Sequence, residues 1–289
     1  MKKAWAVSAA LAVALVSAPL STRTDAAEAG PTCHGERATL VGKPGKLLRG
    51  TGRRDVVVTA GSSDVATGAG NDLICVVGGG GFTLVRSEGG DDEVYVVGKH
   101  RGQVQFVSGT GNDTFVGRAE RDLVTLDLDG RDHVQTGGGR DIVVLRPTTG
   151  RPRTTIDLGG RRDQLVVWTR FHQSKDFPDG LTGDLRKDRV TLTTSATGAA
   201  YRLRITSLER VVVNEFATVR LTGDDHDNDL TVNGACAARL VGHGGDDLLR
   251  VDAVPACAPP ATSTADGGDG QDTCRAAVVT ECEEVLPAG

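Results

Sequence analysis

The sequence predicts an all-β fold, a coil of short strands joined by tight turns, with a thin core between two sheets. Aspartate returns at Asp113, Asp122, Asp132 and Asp141, at intervals of 9, 10 and 9 residues, and short apolar or β-branched runs follow. Such a period suits strand–turn repeats and no α-helix. Glycine supplies 39 of the 289 residues, about twice the usual ~7%, and aromatic residues make up only 3%. A core of Val, Leu and Ile is therefore expected.

The sequence pattern predicts a secretory signal peptide in residues 1–29. Lys2 and Lys3 precede the apolar run AWAVSAALAVALVSAPL, and small-x-small cleavage sites end at Ala26 and Ala29. The run is too short and too rich in alanine for a membrane span. We therefore expect a secreted, extracellular protein that does not span a membrane. The net charge of −5 is spread along the chain and gives no case for nucleic-acid binding.

Repeats occupy residues 30–146 and return in residues 221–289. The N-terminal block contains TGAGND, SEGGDD, SGTGND, DLDGRD and TGGGRD, and the C-terminal block contains GHGGDD and GGDGQD. Strand-forming runs such as LICVV, EVYVV and IVVLR follow the turns. Two turns and two strands make one rung, so alternate turns share an edge. One file is Asp55, Asp72, Asp92, Asp113 and Asp132; the other begins at Asp64, is interrupted near 81 and 101, and continues through Asp122, Asp141 and Asp163.

The period fades in residues 147–220, which we interpret as a degenerate β spacer. QLVVWTRF, RVTLTT, YRLRITSL and VVVNEFATVRL predict strands, with antiparallel pairing as one option, and HQSKDFPDGLTG predicts a loop. In the C-terminal block, PACAPPATSTADGGDG predicts a flexible link. The last repeat then leads into a small closing cap.

All six cysteines follow the predicted signal, and an even number in an exported chain favours disulfides. Nearest-neighbour pairing gives Cys33–Cys75, Cys236–Cys257 and Cys274–Cys282, although six cysteines allow fifteen connectivities. Disulfides at both ends of the coil would help to close it.

The turns resemble the calcium-binding nonapeptide G-G-x-G-x-D-x-U-x of RTX (hemolysin-type) repeat proteins, where U is a large apolar residue. GGDGQDTC (267–274), TGAGNDLI (67–74), SGTGNDTF (108–115) and TGGGRDIV (136–143) carry the likeness, and the whole is similar to secreted actinobacterial calcium-binding repeat proteins. The resemblance implies a parallel β-roll with rungs of about 18 residues. It also implies that U side chains point inward and that stacked turns bind calcium.

A calcium site needs roughly 6–8 hard oxygens at about 2.3–2.6 Å, more than one turn supplies, so two stacked turns must share an ion. Glycine at the second and fourth turn positions allows the positive φ that such loops use. The expected sites join Asp72 with Asp91 and Asp92, and Asp113 with Asp132, with Asp141, Asp247 and Asp272 as further ligands. The supporting glycines are Gly70, Gly90, Gly109, Gly111 and Gly130. Turns with Arg53, Ser62, Glu120 or Arg161 at the fourth position should bind poorly.

Two other interpretations of the aspartates stay open. Each could cap its own turn by accepting local backbone N–H groups, with no metal. The arginines before several of them, including Arg54, Arg131, Arg140 and Arg162, could also neutralise the files through salt bridges.

The function favoured by the sequence is a secreted calcium-binding structural or interaction module, with Ca²⁺ as cofactor and a cell-surface or matrix polysaccharide or protein as a further partner. A metal-free solenoid adhesin or matrix protein is the alternative. We expect no enzyme, because the common catalytic motifs are missing from the sequence. A polysaccharide lyase-like or epimerase-like solenoid is the remaining enzymatic option. DHDND (225–229) resembles an EF-hand start, but Leu230 and Cys236 stand where Gly and Glu are needed.

Overall fold

The computed structural model describes residues 30–98, 100–148, 152–160, 162–169, 178–253 and 262–287. The predicted signal peptide lies outside these residues. Residues 31–289 form one compact unit. Among the described residues the regular structure is all β, apart from one turn of 3₁₀ helix at Leu185–Lys187.

The strands are short in the first half of the chain and longer in the second. In the first half they are β1 Thr32–Cys33, β2 Glu36–Arg37, β3 Leu40–Val41, β4 Leu47–Arg49, β5 Val56–Val58, β6 Asp64–Ala66, β7 Leu73–Val76, β8 Thr83–Arg86, β9 Glu93–Val96, β10 Val104–Val107, β11 Thr114–Val116, β12 Asp122–Leu128 and β13 His133–Gln135. In the second half they are β14 Ile142–Pro147, β15 Thr155–Asp157, β16 Gln164–Trp168, β17 Gly180–Asp184, β18 Arg189–Thr194, β19 Ala199–Thr206, β20 Arg210–Thr222, β21 Asp229–Gly244, β22 Leu248–Ala253, β23 Thr262–Asp269, β24 Thr273–Arg275, β25 Val278–Thr280 and β26 Glu284–Val285.

Successive strands alternate between two sheets, so the chain winds as a parallel β-roll, as the sequence predicts. Sheet 1 runs in the order β4, β6, β8, β10, β12, β14, β16, β20, β21, β22, β24, β26. Sheet 2 begins β3, β5, β7, β9, β11, β13, β15 and ends β20, β21, β23, β25. The long strands β20 and β21 contribute to both sheets.

The core between the sheets consists of columns of apolar side chains that run along the roll. Each rung contributes one side chain to the column of each sheet. In sheet 2, Ile74, Val94 and Phe115 occupy equivalent positions in neighbouring strands, and all are fully buried. The column of sheet 1 includes Val85, Phe106, Val124 and Val143. The U residues of the repeats lie in these columns, which confirms their predicted inward direction. The alternating burial of β12 shows the period of two that puts every second residue inside.

The spacer contains an antiparallel insert within sheet 2. Strand β15 pairs in parallel with β19, β19 and β17 both pair antiparallel with β18, and β17 then pairs in parallel with β20. In sheet 1, β16 pairs directly with β20. The predicted strands of the spacer are confirmed, and the antiparallel option is the one adopted.

Two loop predictions need correction. The predicted loop 172–183 ends in strand β17 (Gly180–Asp184), because this segment pairs on both sides within sheet 2; residues 172–177 lie outside the described residues. Thr262–Asp269, assigned to a flexible link, is strand β23 for the same reason, with β21 and β25 as neighbours. Residues 254–261 lie outside the described residues.

Disulfides join Cys33 to Cys75 and Cys274 to Cys282, as predicted. Cys236 is also disulfide-bonded, and its predicted partner Cys257 lies outside the described residues. The first bridge fixes the β1–β2 hairpin over the outer face of sheet 2, where Val56, Val58 and Leu73 are buried. The bridges therefore tie strands together without covering the ends of the roll, so the predicted cap is one more rung.

Phe106 and Phe115 stack across the core with ring centroids 5.4 Å apart and both are fully buried. We expect Phe106→Ala to lower the free energy of unfolding by about 3–5 kcal/mol, because it removes a buried ring and leaves a cavity. Phe82→Ala is the matched control, since the Phe82 side chain is 49% exposed. Urea denaturation followed by circular dichroism measures both; equal losses would contradict the assignment of the core.

Candidate metal centre formed by buried carboxylate ladders

The aspartates at the ends of the turns stack in register from rung to rung. In the first file the backbone N–H of each aspartate donates to Oδ1 of the aspartate one rung later. These bonds are Asp55 to Asp72 (2.7 Å), Asp72 to Asp92 (2.8 Å), Asp92 to Asp113 (3.1 Å) and Asp113 to Asp132 (3.1 Å). The file ends where the Thr154 hydroxyl donates to Oδ2 of Asp132. We call this chain of bonds the first inner ladder.

A second inner ladder follows the other edge, next to sheet 1. Here too a backbone N–H donates to a carboxylate oxygen one rung later. The first bonds run from Asp122 to Asp141 (2.7 Å), from Asp141 to Asp163 (2.8 Å) and from Asp163 to Glu209 (3.1 Å). After the insert it runs from Asn228 to Asp247 (2.8 Å), Asp247 to Asp272 (2.8 Å) and Asp272 to the Glu283 carboxylate (2.7 Å). Strand register places Asn228 and Glu209 in the same column.

Each ladder aspartate has one oxygen that the ladder leaves unused. Within the described residues, Oδ2 is buried without a hydrogen-bond donor in Asp72, Asp92, Asp113, Asp122, Asp141, Asp163, Asp247 and Asp272. These eight residues are at most 2% exposed. The hydroxyls beside two of them donate elsewhere, Thr67 to the Ser87 carbonyl and Thr136 to the Leu158 carbonyl. A buried, unpaired carboxylate oxygen is costly unless a proton or a cation accompanies it.

From Asp72 onward, burial raises the pKa of the ladder aspartates above the ordinary value of 3.8. Desolvation is the largest cause, and neighbouring carboxylates add to it: the pKa reaches about 8 for Asp113 and Asp122, about 7 for Asp163 and Asp247, and about 6 for Asp92 and Asp132. The pKa values of Asp72, Asp141 and Asp272 are raised for the same first reason. The ladders therefore hold their negative charge only at a cost.

The turns have the backbone geometry that the repeat predicts. Both glycines have positive φ before Asp72 (Gly68 +96°, Gly70 +125°) and before Asp113 (Gly109 +89°, Gly111 +127°). Before Asp92, Glu88 takes the left-handed second position at +71°, and Gly90 has +129°. Gly130 is the exception, since it lies outside the positive range; a Cβ there would meet the Gly111 carbonyl oxygen at 1.8 Å, so close approach explains this glycine.

The residues before the ladder aspartates form an outer, exposed ladder that runs in the opposite direction. Asp91 N–H donates to Asn71 Oδ1 at 3.0 Å, and Asn112 N–H donates to Asp91 Oδ1 at 2.9 Å. The structure therefore brings Asp72 and Asp92 together but sends Asp91 to the surface. Asp91, which the sequence places in a site with Asp72, lies instead in the outer ladder, because adjacent residues of the turn face opposite sides.

The second predicted file is corrected at its start. Asp64 lies in strand β6, one residue beyond the ladder column, and forms an ion pair with Arg86 at 2.7 Å. The column of the ladder itself holds Thr83 and Val104 in the two rungs before Asp122. The second ladder thus begins only at Asp122, although the fourth position there is Glu120.

The arginines do not neutralise the ladders through salt bridges in the described part of the chain. Arg54 pairs with Glu36 and Arg162 with Asp227. Arg121 and Arg140 line a surface groove of about 650 Å³, and Asp141 reaches its wall although it is only 1% exposed; none of the described ion pairs joins either arginine to Asp122 or Asp141. The local-cap interpretation holds at two ladder positions: Asp55 accepts the Thr51 N–H at 2.7 Å, and Asn228 accepts the Asp224 N–H at 2.8 Å. The ladder bonds themselves cross between rungs.

The repeat pattern does not reveal Glu209, Asn228 and Glu283, because none belongs to a glycine-rich turn. Each stands at the start of a strand run, in ERVVV, NDLTV and EEVL. A carboxylate or amide directly before a strand is the signal that could have found them.

The ladders offer hard oxygen ligands, and the turn carbonyls add more. The Gly89 and Thr110 carbonyls each accept one N–H from the adjacent turn, which leaves a second lone pair. Among the described residues no three His, Cys, Asp or Glu side chains form a metal-binding group, so a metal would depend on these carbonyls and on the unpaired Oδ2 atoms. The ligand chemistry fits calcium, which prefers carboxylate and carbonyl oxygen.

No protein-family model matches the chain, and no curated protein matches it. In the described part of the chain, no helix has the length and apolarity to cross a membrane.

The contribution of one ladder bond to stability can be measured at Asp113. Asp113→Ala should lower the free energy of unfolding by about 1–3 kcal/mol, because the buried Asp92 N–H loses its acceptor. Asp113→Asn keeps an acceptor oxygen for the Asp92 N–H and should be far milder. Asp91→Ala, on the exposed outer ladder, is the control. Denaturant unfolding in chelator measures all three; equal losses for Asp113→Ala and Asp91→Ala would count against the inner ladder.

The raised pKa values of the ladder aspartates make the free energy of unfolding depend on pH. The folded pKa values of the ladder carboxyls are raised, so folding favours their protonated form. Their contribution is fully present below the unfolded pKa near 3.8 and is lost as pH rises through about 6 to 8. In chelator, the free energy of unfolding should therefore fall from pH 5 to pH 9. A rise across this window in urea titrations would contradict the raised pKa values.

Proposed function

We propose that this protein is a calcium-binding β-roll that serves as an extracellular structural or interaction module. The observation that carries the proposal is the row of buried Oδ2 atoms without hydrogen-bond donors. Carboxylates in register repel one another, and burial strengthens the repulsion. A divalent cation near two such oxygens would remove most of that cost.

In the first ladder, Asp72, Asp92, Asp113 and Asp132 are the proposed ligands, with the turn carbonyls around Gly70, Gly90 and Gly111. In the second ladder they are Asp122, Asp141 and Asp163, then Asp247 and Asp272. When bound, calcium would supply positive charge between rungs. The chain itself supplies the alignment, because the Oδ1–N–H bonds fix every carboxylate before an ion arrives.

Disulfide bonding agrees with the extracellular location in this proposal. The two bridges Cys33–Cys75 and Cys274–Cys282 are compatible with an oxidising compartment. The sequence-based expectation of a polysaccharide or protein partner stays part of the proposal, with the roll as the scaffold that presents its surface.

A metal-free solenoid is the second candidate, and one observation favours it. Each ladder N–H already has its acceptor, and turn N–H groups such as Gly70 and Gly90 donate to carbonyls of the next turn. Protons could then neutralise the ladders in place of calcium. The protein would fold without metal and work as an adhesin or matrix component.

A calcium titration distinguishes the two candidates. The oxidised protein is freed of metal with a chelator at pH 8 and titrated with calcium, and heat and thermal unfolding are followed together. We expect saturable heat and a rise in Tm, because calcium relieves the repulsion between the buried carboxylates. Magnesium should be much weaker, since it keeps its waters and demands a tighter octahedral site.

The neighbouring pair Asp91 and Asp92 gives a matched control within one turn. Asp92→Asn removes a buried ladder charge and should weaken calcium binding at least tenfold, with the Oδ1 acceptor retained. Asp91→Asn removes an exposed charge and should change affinity little. A folded wild-type protein that shows neither heat nor a Tm change at millimolar calcium would exclude the calcium proposal and leave the metal-free solenoid.

A further inference from the structure

The two ends of the roll are open sheet edges within the described residues. In the first rung, β3 and β4 pair on one side only, with β5 and β6. In the last rung, β25 and β26 pair on one side only, with β23 and β24. Such edges present unpaired backbone groups that can accept another strand. We call the first rung (39–54) the head and the last rung (276–287) the tail.

Head and tail carry opposite charge. The head contains five basic residues and no Asp or Glu: Lys43, Lys46, Arg49, Arg53 and Arg54. The tail contains three acidic residues and no Lys or Arg: Glu281, Glu283 and Glu284. Charged edges usually keep proteins from associating. Here two heads repel and two tails repel, but a head attracts a tail.

Both ends also expose apolar side chains. The large apolar residues that are exposed in the described part of the chain number six, and four of them lie on terminal strands: Val41 (44%), Leu47 (49%), Val278 (57%) and Val285 (60%). Val285 lies in a core column, in line with the buried Cys274, whereas the other three lie on the outer faces of the end strands.

The core columns and the charges come into register if a head follows a tail. In sheet 2 the core column ends at Val279 in the tail and begins at Leu40 in the head. In sheet 1 it ends at Val285 and begins at Leu48. The same register brings the turn of Glu281 near Lys43 and places Glu283 in the column of Lys46.

We propose that this protein associates head to tail, with the tail of one copy stacked on the head of a second copy as the next rung of the roll. The partner is a second copy of this chain, and the interface is heterologous, so it leaves one head and one tail free after each addition. Strand β25 would lie beside the partner's β3 and strand β26 beside the partner's β4. The inference does not depend on calcium.

The test reverses the charge of each end separately. Lys43→Glu, Lys46→Glu and Arg49→Glu together change the formal charge of the head from +5 to −1, and Glu281→Lys with Glu284→Lys change that of the tail from −3 to +1; Glu283 is left alone because it ends the inner ladder. Sedimentation velocity over a wide range of protein concentration, in chelator and in calcium, measures association, and circular dichroism checks that each variant folds. We expect the wild type to form a series of species that weakens in high salt, because the attraction is screened.

Each reversed variant has two ends of like charge and should associate at least tenfold more weakly than the wild type. Mixing the two variants restores unlike ends, an acidic head with a basic tail, and should restore association. A wild type that stays monomeric at all concentrations would overturn the proposal. So would a dimer that both variants form as well as the wild type, or a mixture that fails to recover.

Discussion

The fold depends on one constraint: the backbone N–H groups of the turns need acceptors, and the neighbouring rungs supply many of them. The inner ladders meet this need with carboxylates at bond lengths of 2.7 to 3.1 Å. A carboxylate is a strong acceptor, but burial of its charge is expensive. The ladder therefore fixes the register of the roll and at the same time creates a demand for protons or cations. Stability and ligand binding arise from the same atoms.

The outer ladder balances the inner one within each turn. At Asp91 and Asp92 the two neighbouring N–H groups donate in opposite directions, one to the rung before and one to the rung after. Each turn is thus bonded to both neighbours through two consecutive residues. Rungs of different length can stack because the turn, and not the length of the strand, sets the register.

Much of this architecture could be predicted because its determinants are local. The Asp period, the glycines at positive φ and the alternation of strands are visible within nine residues, and the inward U residues follow from them. The direction of Asp91, the place of Asp64 and the pairing of Gly180–Asp184 could not be predicted, since each depends on a partner one or more rungs away. Glu209 and Glu283 show the same limit: their function as acceptors is defined by the column they join and not by a motif. Sequence proximity also predicts salt bridges between the arginines and the aspartates that follow them, but adjacent turn residues face opposite sides.

The antiparallel insert makes the two sheets unequal. Between β15 and β20, sheet 2 contains β19, β18 and β17, whereas sheet 1 passes directly from β16 to β20. Regular winding would place one strand at this point of sheet 2, and the insert supplies three. Sheet 2 is therefore wider by two strands, roughly 10 Å at the usual spacing. The two sheets therefore differ in strand number on either side of one core. Copies joined end to end would repeat that difference once per copy, always on the side of sheet 2.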